Sequence, residues 1–217
     1  MRLLRPLGQR TYERVFGVVY VGLMANVLLT VGCAPLLLAL AVVADPAASW
    51  PFFVVLSGCC APAVAGVFGV FADGSVQVWR PYWAAYRRAF LPSLAAWYGA
   101  AVVVVVLVVD ARALPALLPL FASTAVLAVT CAIAVILVAA THPTLPGGLA
   151  RSCLYLTARR WYLALFNAVV LATAAAIVLM RPVEGLLVAC APLLYVVFAN
   201  TRAVVSPLGT PGIVGGR

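Results

Sequence analysis

Apolar positions in this chain come in long runs, separated by short polar stretches that hold most of the charges. Six such runs cover residues 16–43, 51–72, 93–109, 117–140, 161–180 and 185–205. A helix crosses the hydrocarbon core of a bilayer in about 20 residues, so each run is predicted to be a transmembrane helix. The first is long enough to tilt strongly, or to bend where Pro35 interrupts its hydrogen bonding. The expected fold is an all-α membrane protein with one six-helix domain over residues 16–205. A basic segment, 1–15, precedes it and a Pro/Gly-rich tail, 206–217, follows.

Composition makes the bilayer necessary. Of 217 residues, 66% are hydrophobic and only 9% charged, with a mean hydropathy of +1.17. Soluble domains carry about 25% charged residues, and one core in water could not hide this much apolar side chain. A bilayer acts as the solvent for the outer surface. The run 16–43 is longer than the apolar stretch of about 7–15 residues in a cleavable signal. Cys33 follows Thr30-Val31-Gly32, a poor lipoprotein cleavage site, and apolar sequence continues beyond it. A retained helix is expected.

The net charge of +9 would suggest nucleic acid in a soluble protein. Here all fourteen basic residues are Arg, spread between the apolar runs, so no nucleic-acid partner is expected. Six spans place twelve of them on one side: Arg2, Arg5, Arg10, Arg14, Arg80, Arg87, Arg88, Arg151, Arg159, Arg160, Arg202 and Arg217. The other side receives Arg112 and Arg181, beside Asp45, Asp110 and Glu184. Cytoplasmic loops collect Arg, so both termini are expected in the cytoplasm.

The two inner links are the longer ones. In the first, Trp79, Tyr82, Trp83, Tyr86 and Phe90 share one helical stripe, with Arg80, Arg87 and Arg88 beside or behind it. The pattern predicts a separate amphipathic helix lying in the membrane interface between the second and third spans. It would serve as an anchor or as a docking surface for a partner. The second link opens on a Pro-Gly stretch at residues 143–148 and then turns helical, with weaker amphipathicity. Arg87-Arg88 and Arg159-Arg160 each introduce a span, a faint internal echo.

Candidate chemistry is sparse. No two acids share an intramembrane face, and His142 is the sole histidine, so no acid–base pair is in view. Metal-ligand spacing and a phosphate-binding Gly loop are both missing from the sequence; neither an enzyme nor a cofactor is expected. The six cysteines read as structural thiols. Within the spans, Asn26 and Asn167 stand out as helix-to-helix contacts or as groups lining a solute path. The second span carries small residues on adjacent stripes, Gly58, Pro62 and Gly66 beside Ala61, Ala65 and Gly69. Such faces let helices approach closely, marking this helix as central to the bundle or as a homodimer contact, with a kink at Pro62.

The run Ala61-Pro62-Ala63-Val64-Ala65, followed by Trp83, Tyr86, Arg87, Arg88 and Phe90, resembles the YesL-like family of small bacterial membrane proteins. Asn26 and the later Pro35 also look like that family's opening helix. The resemblance covers roughly residues 20–205 and implies the plasma membrane of a bacterium. It carries no established activity and no catalytic residues. Members are often encoded beside carbohydrate import systems, which implies an accessory or regulatory role with sugar-transporter subunits as partners. The other expectation is a small permease for an uncharged solute, its path lined by Asn26 and Asn167.

Overall fold

A computed structural model describes residues 7–43, 45, 48–142, 148–180 and 185–206, with the backbone alone for 7–15. The start of the basic segment, most of the Pro-Gly stretch, the link at 181–184 and the tail from 207 lie outside the described residues. Among the described residues all regular structure is helical. The elements are α1 (Leu7–Gly32), α2 (Ala34–Val42), α3 (Trp50–Ser57), α4 (Cys60–Asp73), α5 (Trp79–Ala113), α6 (Leu118–Thr141), α7 (Leu149–Arg159), α8 (Trp161–Met180) and α9 (Cys190–Val205). A 3₁₀ turn, Pro115–Leu117, leads into α6, and a π turn, Gly185–Ala189, leads into α9. Five stretches are long and apolar enough to cross a membrane; α1 and α2 form a sixth if they count as one bent span.

Proline decides where helices open and break. Pro35, Pro51, Pro115 and Pro119 sit in the first turns of α2, α3, the 3₁₀ turn and α6, where a missing N–H loses no helical bond. Pro35 cannot donate to the carbonyl of Val31 and crowds it, so α2 departs from α1 at 61°. Pro62 acts in the same way on Gly58. Around it the ladder tightens to three-residue bonds, from Gly58 to Val55 (3.2 Å), Cys59 to Leu56 (3.1 Å) and Ala61 to Gly58 (3.1 Å). The second span is therefore broken into α3 and α4. Gly74, with φ of +64°, ends α4 in the left-handed conformation.

One expectation is corrected here. Residues 79–90 do not form a separate interfacial helix: they are the first third of α5, which runs unbroken for 35 residues through Pro92. At 1.5 Å per residue α5 is about 50 Å long, well beyond the roughly 30 Å hydrocarbon core. The segment joins the bundle because its inward side packs on α4. Tyr82, Ala85, Ala89 and Ser93 are buried there, and a β-carbon on Gly66 would fall 2.5 Å from the Tyr82 ring. The Tyr82 hydroxyl then donates to Leu28 of α1 (3.2 Å).

The core lies around α4, whose residues 61–70 are all buried except Val64. Gly58, in the break between α3 and α4, meets Tyr98 of α5, and across the α4–α5 contact Gly66 meets Tyr82 and Gly69 meets Ala85. Ala61, Pro62 and Ala65 are buried in the same helix. On another side of α4, Phe68 and Phe71 pack against Phe198 and Tyr195 of α9. Beyond this core, the outer half of α5 buries none of its most apolar 18-residue window.

The second link also differs from expectation. α7 is strongly two-sided: Leu149, Cys153 and Thr157, one turn apart, are buried, while Arg151, Leu154, Tyr155 and Arg159 are exposed. Its buried stripe packs beside Ala134 and Val138 of α6 and Val204 and Val205 of α9. Only three buried positions carry this face, and two of them are the small residues Cys153 and Thr157, so the apolar signal in the sequence is weak.

Candidate functional site

Asn26 marks the first polar contact inside the bundle. Pro192, the third residue of α9, has no N–H for the Val188 carbonyl, and the chain just before it widens into the π turn. There the Asn26 amide enters from α1. Its Nδ2 donates to the Leu187 carbonyl (2.8 Å) and its Oδ1 accepts from the Ala191 N–H (2.6 Å). Those two backbone groups lie four residues apart, the spacing of an ordinary helical bond. The side chain therefore completes a ladder that the π turn opens, and π turns recur at such interruptions. Its amide has one workable orientation, because a flip would set donor against donor.

Asn167 is the centre of a second group, between α8 and α9. Its Nδ2 donates to Thr201 Oγ1 (3.0 Å), and its Oδ1 accepts from Asn200 Nδ2 (2.7 Å), which also donates to Leu163 (3.0 Å). Thr201, 2% exposed, is a partner that the sequence reading did not single out. A signal for it existed: α8 and α9 are joined by a short link, so residues at similar distances from that link face each other.

The aromatic stripe forms a continuous ladder of ring contacts, Trp79–Trp83 (5.7 Å), Trp83–Tyr86 (5.2 Å) and Tyr86–Phe90 (5.8 Å). The structure divides the eight residues singled out there. Tyr82 is 2% exposed and belongs to the core. Trp83 and Tyr86 are half-buried along its edge, and Trp79, Arg80, Arg87, Arg88 and Phe90 remain exposed. The indole N–H of Trp83 is enclosed without an acceptor among the described residues.

At the arginine-rich end, α4, α6 and α9 finish together while α5 and α8 begin. The last carbonyls of a helix lack intrahelical donors and carry the negative end of its dipole. Arg88 of α5 donates to Ala140 near the end of α6, and Arg160, just before α8, donates to Ala203 near the end of α9. The second Arg of each Arg-Arg pair thus caps the other helix of its own hairpin. Between the three helix ends lies an open cleft of about 420 Å³, with His142 and Arg202 at its rim and Leu137 and Phe198 in its walls.

The six cysteines are free thiols. Burial pushes the Cys153 thiol of α7 up to about 12, with Cys131 close by adding to the rise, so it stays protonated at any physiological pH. Among the described residues no three His, Cys, Asp or Glu side chains are grouped to hold a metal ion. No family model, curated protein or solved structure matches the chain.

Proposed function

We propose that the chain is a non-catalytic, multi-pass protein of a bacterial plasma membrane. In this reading both termini and the arginine-rich end face the cytoplasm, and the protein works as an accessory or regulatory component. The observation that carries this is where the intramembrane amides go. Asn26 completes the backbone of α9, and Asn167 joins α8 to Asn200 and Thr201. Groups bonded in this way hold helices together; a solute path needs groups turned toward the solute. The permease reading loses its named residues.

An accessory protein needs a surface for its partner. The exposed edge of α5, with Trp79, Arg80, Arg87 and Phe90, joins aromatic area to cationic donors, a combination enriched at interfaces. The likeness to YesL-like proteins, through residues 61–65 and 83–90, supports sugar-import subunits as the partner class. A tagged pull-down from native membranes in mild detergent tests this. Transporter subunits recovered in stoichiometric amounts, and lost with the triple variant Trp79→Ala, Arg80→Gln, Arg87→Gln, are expected. Recovery of the chain alone, as monomer or homodimer, would overturn it.

A further inference from the structure

We propose that the cleft at the arginine-rich end of α4, α6 and α9 binds the phosphate ester of a polyhydroxy alcohol, with the glycerol-phosphate headgroup of an anionic lipid as its source. The volume, about 420 Å³, suits a headgroup and falls within the usual range of small-ligand sites, about 300–1,000 Å³. Arg202, in the last turn of α9, and His142, which caps the backbone of α6, both line it. Neither side chain has a hydrogen-bonding partner among the described residues. A guanidinium presents a planar fork of donors that fits phosphate oxygens two at a time, and an imidazole N–H supplies a third donor from the facing helix.

The remaining polar groups suit hydroxyls. Thr141 and Ser206 also line the cleft, and each donates its own proton backward, to Leu137 (2.8 Å) and to Ala203 (3.0 Å). Their oxygens keep lone pairs directed elsewhere, and a polyol can donate to such acceptors where a bare phosphate cannot. Leu137 and Phe198 provide apolar wall for the first carbons of an acyl chain.

Three helix C-termini would by themselves repel an anion. Two of them are already answered, because Arg88 and Arg160 donate to the end carbonyls of α6 and α9. The nearest acid in sequence, Asp73, accepts from Ser75 in the turn after α4 and does not line the cleft. Among the described residues the local balance is therefore cationic. This inference rests on the bilayer reading of the apolar helices and is independent of any protein partner.

The test is native mass spectrometry and thermal unfolding of the full chain in detergent, titrated with phosphatidylglycerol, phosphatidylcholine or soluble glycerol 1-phosphate. One phosphatidylglycerol retained per chain is expected, with phosphatidylcholine binding about tenfold or more weakly. Arg202→Gln should lower the phosphatidylglycerol affinity by about tenfold or more, the scale of a charge-assisted hydrogen bond. Arg202→Lys should recover part of the loss. Arg151→Gln, which removes the same charge from the exposed side of α7, should change it less than about twofold. Equal losses in Arg202→Gln and Arg151→Gln would reduce the effect to general surface attraction and overturn the site. Equal binding of both lipids would overturn it too. Glycerol 1-phosphate binding as tightly as the lipid, with the same dependence on Arg202, would uphold the polyol-phosphate chemistry and overturn the lipid as its source.

Discussion

At the scale of single residues, the most consequential side chain is one that bonds to backbone. Asn26 is 2% exposed and uses both ends of its amide on α9. Asn26→Leu removes a donor and an acceptor together. It leaves the Leu187 carbonyl and the Ala191 N–H in a place without water, unless the π turn rewinds and breaks its own packing. Unpaired buried groups cost about 1–3 kcal/mol each, whereas an interhelical side-chain bond in membranes averages about 0.6 kcal/mol. Asn26→Leu is therefore expected to destabilise the protein by about 2 kcal/mol. Asn167→Leu should cost less, because Asn200 keeps its bond to Leu163 and Thr201 can turn to its own helix. Reversible unfolding in mixed micelles would check the order. Equal, small losses would mean that the π turn forms without its clamp. The sequence showed that Asn26 is polar in an apolar run, but it could not show the partner, which is main chain brought into reach by a proline in another helix.

At the scale of elements, the two hairpins α5–α6 and α8–α9 share a device. In each, the second Arg of an Arg-Arg pair, in the first third of α5 or just before α8, donates to a carbonyl near the end of the second helix. A cation at a helix C-terminus contributes about 0.3–1 kcal/mol when exposed and up to about 2 kcal/mol when partly buried. Arg88→Gln and Arg160→Gln should each lower stability by about 1 kcal/mol. The neighbouring Arg87→Gln and Arg159→Gln, whose side chains meet no partner among the described residues, should stay within about 0.5 kcal/mol of the parent. Thermal unfolding of the four variants separates a specific cap from a general charge effect. Equal shifts in all four would reject the caps. The Arg-Arg echo was visible in the sequence, but the orientation rule alone accounts for paired Arg before a span; only the helix ends they reach distinguish the two members. Elements themselves were legible to different degrees. The run 161–180 became α8 with the same bounds, because charged or bulky interfacial residues frame it on both sides. The continuity of α5 was not legible. A stripe with helical period reads the same whether the helix lies flat or stands upright, and the decision falls to the slot that Gly66 leaves for Tyr82.

At the scale of the whole molecule, packing and charge divide the bundle into two unlike ends. The end holding His142, Arg88, Arg160 and Arg202 carries the densest core, with α4 enclosed by α1, α5, α6 and α9. Toward the other end α2 bends away from α1, and the α5–α6 hairpin continues with its apolar side chains uncovered. Such a surface is stable only where lipid or another apolar helix replaces water. The charges agree with one direction of insertion. Among the described residues, Arg80, Arg87, Arg88, Arg151, Arg159, Arg160 and Arg202 lie at the dense end, while Asp45, Asp110 and Arg112 lie at the other. Arg retained on the cytoplasmic side would put the dense end, the cleft and the aromatic edge of α5 inside the cell. Fusions of a periplasm-active phosphatase and of a fluorescent protein read this directly. A fusion after Leu114, between α5 and α6, should show phosphatase activity and no fluorescence. Fusions after Ser206 and after Gly74 should fluoresce and lack phosphatase activity. The reverse pattern would invert the protein and detach the cleft from the cytoplasmic leaflet. Activity on one side at Ser206 and on the other at Gly74 would instead leave an odd number of crossings between them, so that one of α5, α6, α8 and α9 fails to span. The pair of positions after Gly74 and after Ser206 decides most, because they share a side only if an even number of α5, α6, α8 and α9 cross.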